Sequence, residues 1–292
     1  MKMMIIGLGL IGGSMAMALS GTPDLEITTV TRNPVSRADA LRMGIVKNAW
    51  PTPDLAPIED QDLVVLCLPP DACLEFVKQE AMRLKPGAIL TDVCGVKKPL
   101  YAAVNALPPH DFIYLGGHPM AGKERGSFAN AFGELYRGSH YILTPDASVP
   151  QSAIDTMTRL IHAMGCADII FTTPVEHDER IGYTSQLMHV MALALCDQHL
   201  LFDSFGFEGN SFRGATRVAA LDPDLWCELF MANRETLADL TDELIQNLSV
   251  YRDLLRTGDR EKLLAQLKVS SDRKKEFDRL MGIEHSKTTL YK

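Results

Sequence analysis

The sequence predicts a doubly wound α/β domain with a largely parallel sheet, followed by an all-helical domain. Three features carry that expectation. Short runs rich in Val, Ile and Leu alternate with helix-length segments, a glycine-rich turn separates the first run from the first helix, and the strand signal stops after Thr173-Pro174. The expected strands are the runs at 3–6, 27–30, 63–68, 88–91, 112–115, 140–143 and 168–171, seven in all and all buried. Helix-length segments at 13–19, 37–43, 71–84 and 151–164 lie between them, as crossovers between parallel strands require.

From 174 to 282 nearly every segment has helical periodicity, so residues 1–173 and 174–282 are expected to be separate domains, with 283–292 a disordered tail. One apolar helix is expected over 175–201. A second begins at Asp222-Pro223, where Asp is a good N-cap and Pro suits the first helical position. Along it Leu237, Leu240, Leu244, Leu248, Tyr251 and Leu255 recur at three- or four-residue spacing and form one apolar stripe. A stripe of this length exceeds what one small helical domain covers, which predicts a homodimer through the helical domain.

Composition narrows the partners. The 292-residue chain carries a formal net charge of −8 without a Lys/Arg-rich cluster, which argues against nucleic acid. No apolar stretch is long enough to span a bilayer, since Gln186 and His189 interrupt the best one, so no membrane partner is expected. Residues 1–6 are too short an apolar stretch for a secretory signal, and the expected location is cytoplasmic. Six cysteines lie singly, without the paired spacings of zinc sites, and read as reduced; no metal is expected.

Gly7-Leu8-Gly9-Leu10-Ile11-Gly12 follows the first strand and opens the first helix. In such a Rossmann-type unit Gly7 makes the tight turn, Gly9 lets backbone approach a pyrophosphate, and Gly12 lets helix pack on strand. Leu68, ending the run at 63–68, joins the expected cofactor contacts. At the end of the second strand, where an acidic residue would hold the ribose hydroxyls of NAD, the chain has Thr31-Arg32-Asn33. A hydroxyl, a guanidinium and an amide can all donate to a 2′-phosphate, so NADP is expected as the preferred cofactor, with NAD possible. The competing reading makes Arg32 a solvated residue stacked on adenine.

The run at 112–115 leads into Gly116-Gly117-His118-Pro119-Met120-Ala121-Gly122-Lys123-Glu124. His118 thus sits at the carboxyl end of a sheet strand, where open α/β sheets bind ligands, and an imidazole there can accept a proton near neutral pH as hydride leaves an alcohol. A histidine capping a turn is the other reading.

These segments, with Thr91-Asp92-Val93-Cys94-Gly95-Val96-Lys97, Glu176-His177-Asp178, Ser185-Gln186-Leu187-Met188-His189, Phe212-Arg213-Gly214-Ala215-Thr216-Arg217 and Trp226, occur in an order that resembles the prephenate and arogenate dehydrogenases of tyrosine biosynthesis. The resemblance covers nearly the whole chain. It implies a Rossmann domain joined to a helical dimerisation domain, and oxidative decarboxylation of prephenate to 4-hydroxyphenylpyruvate, or of arogenate to tyrosine. It implies His118 as the catalytic histidine on the substrate's ring hydroxyl, Arg217 on a substrate carboxylate with Lys123 as a helper cation, and His189 as a second active-site histidine. Gln186 and Trp226 complete the expected substrate-binding set.

Departures from the family pattern are visible. Gly95 stands where the family has a serine, leaving that hydroxyl's role to Cys94, Lys97 or water. Lys123, Gly214, Gln186 and Met188 also replace the usual residues, and all touch the expected substrate pocket. Turnover is expected to fall below an apparent pKa of about 6–7, where His118 becomes protonated. Two alternatives stand beside this reading. A β-hydroxyacid or imine reductase would use a lysine on the first helix of the second domain, which 175–201 lacks. A catalytically silent NADP-binding sensor is the alternative from another class.

Overall fold

The computed structural model describes residues 1–123 and 126–282; the expectation for 283–292 and the motif residue Glu124 lie outside the described residues. The chain opens with strand β1 (Lys2–Ile6), helix α1 (Leu10–Leu19), β2 (Glu26–Val30), α2 (Pro34–Arg42), β3 (Asn48–Trp50), β4 (Leu63–Leu66), α3 (Pro70–Glu80), β5 (Ile89–Asp92), α4 (Lys98–Asn105) and β6 (Ile113–Tyr114). These six strands pair in the order β3-β2-β1-β4-β5-β6, all parallel, which is the doubly wound order. The order reverses between β1 and β4, so their carboxyl ends frame the crevice at Gly7 and Cys67-Leu68.

Buried side chains alternate along the central strands. Met3, Ile5, Leu63 and Val65 pack on one face with α1, while Met4, Ile6, Val64 and Leu66 pack on the other with α3 and α4. Each fully buried Leu or Ile contributes about 1.5–3 kcal/mol relative to exposure, so both faces anchor the strand ends that carry the site.

A second sheet follows, built from β7 (Gly116–Pro119), β8 (His140–Thr144) and β9 (Asp168–Phe171), with α5 (Gln151–Ala163) between the last two. Here the structure corrects the sequence expectation of seven buried strands. Strands β3 and β7 lie outside the seven runs. Gly-Gly-His-Pro reads as a turn by composition, yet it pairs antiparallel with β8, placing His118 opposite Ile142 within a strand. Its glycines are required by packing: a Cβ at Gly116 would lie 2.5 Å from Thr144 Oγ1 and one at Gly117 2.8 Å from the Asp92 carbonyl. Strand β9, at one edge of the three-stranded sheet, is largely exposed, with Phe171 at 52%.

The helical region is more broken than expected. Helices α6 (Pro174–Ile181) and α7 (Leu187–Cys196) are joined by a π-helical turn at Gly182–Gln186, and regular helix ends at Cys196 rather than 201. Thr173 caps α6 through a capping box with Glu176. After α8 (Asn210–Thr216), α9 (Pro223–Ala232) starts at the expected Asp222-Pro223 and stops at Asn233, where α10 (Arg234–Thr257) begins. Helix α11 (Arg260–Leu280) completes the described chain. The last strand ends at Phe171, but the first compact unit extends through α9 to Leu237, and a second begins at Ala238. Within the second unit Tyr251 and Ser270 hydroxyls are 2.6 Å apart and tie α10 to α11. Its apolar residues are largely uncovered, Leu248 at 58% and Leu255 at 66% among them.

Candidate active site

The glycine turn takes its shape from close backbone packing. Gly7 has φ +100°, and a Cβ there would meet the Cys67 carbonyl at 2.3 Å and Leu68 Cδ2 at 2.8 Å. A Cβ on Gly12 would lie 2.1 Å from the Gly7 carbonyl oxygen. At Gly9 it would meet nothing within 4 Å, so the turn is open on the side where a pyrophosphate must approach. Gly9 is also the N-cap of α1, and the first amides of the helix, from Leu10 and Ile11 onward, point toward that opening. The residues therefore fit a dinucleotide.

At the end of β2, Thr31 is partly buried and Arg32 exposed. Asn33 turns its Oδ1 inward to accept from the amides of Val35 and Ser36 at 2.9 and 3.3 Å, capping α2. Arg37, absent from the sequence expectation, donates from Nη1 to the carbonyls of Thr31 at 2.6 Å and Arg32 at 2.9 Å and so fixes this turn.

On the substrate side, a chain of polar groups converges on His118. The backbone amides of Lys97 and Lys98 donate to Asp178 Oδ1 and Oδ2 at 2.7 and 2.9 Å. Asp178 Oδ1 is 2.8 Å from His177 Nδ1, and His177 Nε2 is 3.0 Å from His118 Nδ1. The two imidazoles meet edge to face, with centroids 5.1 Å apart. Burial, followed by the neighbouring His177 and Lys97, holds His118 well below the usual histidine pKa. This moves the expected loss of activity to more acidic pH than the 6–7 read from the sequence. Burial lowers His177 as well, opposed by Asp178.

A second buried group pins the loop below His118. Lys97 Nζ pairs with Asp92, both fully buried, while Tyr114 OH donates to Asp92 Oδ2 at 2.7 Å and the Cys94 amide to Asp92 Oδ1 at 2.8 Å. Neither side chain proposed to replace the family serine is directed at His118. Lys97 is engaged by Asp92, and Cys94 Sγ lies 3.4 Å from Cys73 Sγ and 3.5 Å from the Leu68 carbonyl. Gly95 itself leaves a gap: a Cβ there would sit 3.8 Å from His118 Cε1 and 3.9 Å from Nε2.

Helix α9 links this gap to the other expected residues. Leu229 Cδ2 lies 3.4 Å from the same Gly95 position. One turn earlier Trp226 stacks on His189, centroids 3.5 Å apart and planes 28° apart. His189 donates from Nδ1 to the Ser185 carbonyl at 2.9 Å, and burial lowers its pKa. Arg217 is exposed and opens a short 3-10 turn, Arg217–Ala219, that packs against the helix bearing His189. Asp222 caps α9 by accepting from the amides of Asp224 and Leu225.

One residue is placed differently from the expectation. Gln186 is 2% exposed; its Oε1 accepts from Asn233 Nδ2 at 2.8 Å and its Nε2 donates to the Leu229 carbonyl at 3.3 Å, so it braces the site from behind. Lys123 lies over the Phe132 ring, 4.2 Å from its centroid. Sequence reasoning missed His177, Asp178 and Asn233 as site residues. Asn233 Nδ2 also donates to the Asp178 carbonyl at 2.8 Å, so the break between α9 and α10 supports the same chain. Among the described residues no His, Cys, Asp or Glu cluster is placed to hold a metal, and no helix is long and apolar enough to cross a membrane.

Comparison with known proteins agrees with this architecture. The family model for the prephenate dehydrogenase nucleotide-binding domain matches residues 16–170, and that for the prephenate dehydrogenase dimerization domain matches 173–269. The cyclohexadienyl dehydrogenase of Zymomonas mobilis is 32% identical over 275 residues, covering 91% of this chain and 92% of that protein. The prephenate dehydrogenase of Bacillus subtilis is 25% identical over 276 residues, covering 92% and 74%. Among solved structures, prephenate dehydrogenase from A. aeolicus in complex with hydroxyphenyl propionate and NAD+ has a TM-score of 0.83 at 29% identity, covering 95% of this chain and 98% of that one.

Proposed function

The chain belongs to the prephenate dehydrogenase family, and we propose that it oxidatively decarboxylates prephenate to 4-hydroxyphenylpyruvate, with NADP preferred over NAD. The observation that carries this reading is His118: a neutral imidazole in a strand of the nucleotide-binding half, with Nε2 beside the gap at Gly95. When bound, the nicotinamide supplies the acceptor for the hydride that leaves the carbinol carbon. His118 takes the hydroxyl proton at Nε2. The ring carboxylate departs as carbon dioxide, its bonding pair remains in the ring, and aromatisation drives the step forward. Arg217, with Lys123, attracts the carboxylates, and the His189–Trp226 stack forms a wall for the ring.

The NADP preference is supported by Thr31-Arg32-Asn33, which offers donors and no carboxylate to a 2′-phosphate, and by Arg37 bracing that turn. We further propose that residues 174–282 act as the dimerisation and substrate domain, that two copies of the chain meet through the exposed apolar residues of α10 and α11, and that the enzyme works in the cytoplasm. The deciding experiment measures initial rates with prephenate and with arogenate, each with NADP and NAD. Prephenate with NADP is expected to give the highest kcat/KM. Exclusive use of arogenate, or a clear preference for NAD, overturns the corresponding part, and no turnover with either substrate favours a silent NADP-binding protein.

A further inference from the structure

We propose that His177 and Asp178 are positioning residues that lock His118 in the Nδ1–H tautomer, so that its base is the Nε2 lone pair facing the gap at Gly95. The inference deepens the function proposed above and rests on it for its kinetic consequence, but the tautomer itself follows from hydrogen-bond direction and from His177 being buried and neutral.

Backbone amides can only donate. The Lys97 and Lys98 amides therefore make both Asp178 oxygens acceptors, and Oδ1 accepts again from His177 Nδ1 at 2.8 Å. Depressed by burial, His177 is neutral at neutral pH and carries one ring proton. With that proton on Nδ1, its Nε2 is an acceptor. The group 3.0 Å from this Nε2 is His118 Nδ1, which must donate. A neutral His118 with its proton on Nδ1 has a bare Nε2. The opposite tautomer would set two lone pairs against each other at 3.0 Å.

The far end of the chain is held as firmly as the near end. Asp178 receives two amides from the start of α4, Asn233 Nδ2 donates to its main-chain carbonyl, and Gln186 fixes Asn233. His177 is 1% exposed and Asp178 fully buried, so water does not compete for these bonds. In this chain no side chain at position 95 reaches toward His118 Nε2, so orientation comes from the Nδ1 side and the space beside Nε2 is left to the substrate hydroxyl.

The test uses selective ¹⁵N-histidine labelling of the full-length protein without substrate, with His118 assigned by loss of its signals in His118→Asn. A pyrrole-type Nδ1 and a pyridine-type Nε2 are expected at neutral pH; a protonated Nε2 overturns the proposal whatever the enzyme acts on. Kinetics supply the second readout. His177→Phe, which removes the acceptor but keeps a ring, is expected to lower kcat by on the order of 10²-fold or more with KM changed less than about threefold, as loss of an orienting partner does in other histidine bases. His177→Gln, whose Oε1 replaces the Nε2 acceptor, is expected to recover most of the loss and the wild-type tautomer. Wild-type kcat in His177→Phe overturns the proposal, as does failure of a folded His177→Gln to exceed His177→Phe. Absence of wild-type turnover with prephenate and arogenate counts against the proposed function and leaves the tautomer result standing.

Discussion

The glycine turn and the histidine chain lie in one compact unit but are specified in opposite ways. The turn is a contiguous six-residue segment whose shape is set by local close contacts, such as the 2.1 Å a Gly12 Cβ would leave to the Gly7 carbonyl. The histidine chain joins residues 97–98, 118, 177–178, 186 and 233 from separate elements of the fold. A local device tolerates change elsewhere but not within itself. A distributed device fails when any one element shifts, and it controls protonation rather than affinity.

Substitutions should separate the two. Gly12→Val, which forces a side chain into the Gly7 carbonyl, is expected to weaken NADP binding by about 100-fold, equivalent to roughly 3 kcal/mol of overpacking strain. Fluorescence titration of the folded variant measures it, and near-normal affinity would break the local half of the comparison. Arg32→Ala is expected to raise KM for NADP by about 10-fold or more, the scale of one charge-assisted hydrogen bond, while leaving KM for NAD within about threefold. An equal change for both cofactors would assign Arg32 to adenine stacking.

Gly95→Ser sharpens the distributed half. Its Cβ meets Leu229 at 3.4 Å, an ordinary contact, so the variant should fold and change kcat by less than about tenfold if orientation already comes from His177. A much larger gain would mean that His118 is poorly held without the hydroxyl. The pH dependence is subtler. Because burial lowers His118, kcat/KM should stay level from neutral pH down past the unperturbed value of about 6.5 and decline only at more acidic pH, as Nε2 takes a proton. A decline centred above 6.5 would contradict the neutral, enclosed imidazole.

The same contrast explains what could be read from the sequence. Strands β1, β2, β4 and β5, the glycine turn and the Asp222-Pro223 helix start have signals within a few residues, and each stands where those signals put it. Strand β7 was hidden because Gly116 and Gly117 answer to Thr144 and to the Asp92 carbonyl across the fold, while locally they spell a turn. The apolar period running through Asn233 concealed the break that turns its amide to Asp178 and Gln186. His177 and Asp178 were visible as a matching segment, but a hydrogen-bond direction needs all of its partners and has no local signature. Gln186 was read as a substrate contact because its position, not its two bonded ends, is what a sequence displays.

The most direct test of the account is His118→Asn assayed with prephenate and NADP, with cofactor affinity measured on the same sample. The account predicts unchanged NADP binding and a kcat lower by on the order of 10²–10⁴-fold, the usual scale for losing a general base. Wild-type turnover by this variant would remove His118 from the chemistry and contradict the account.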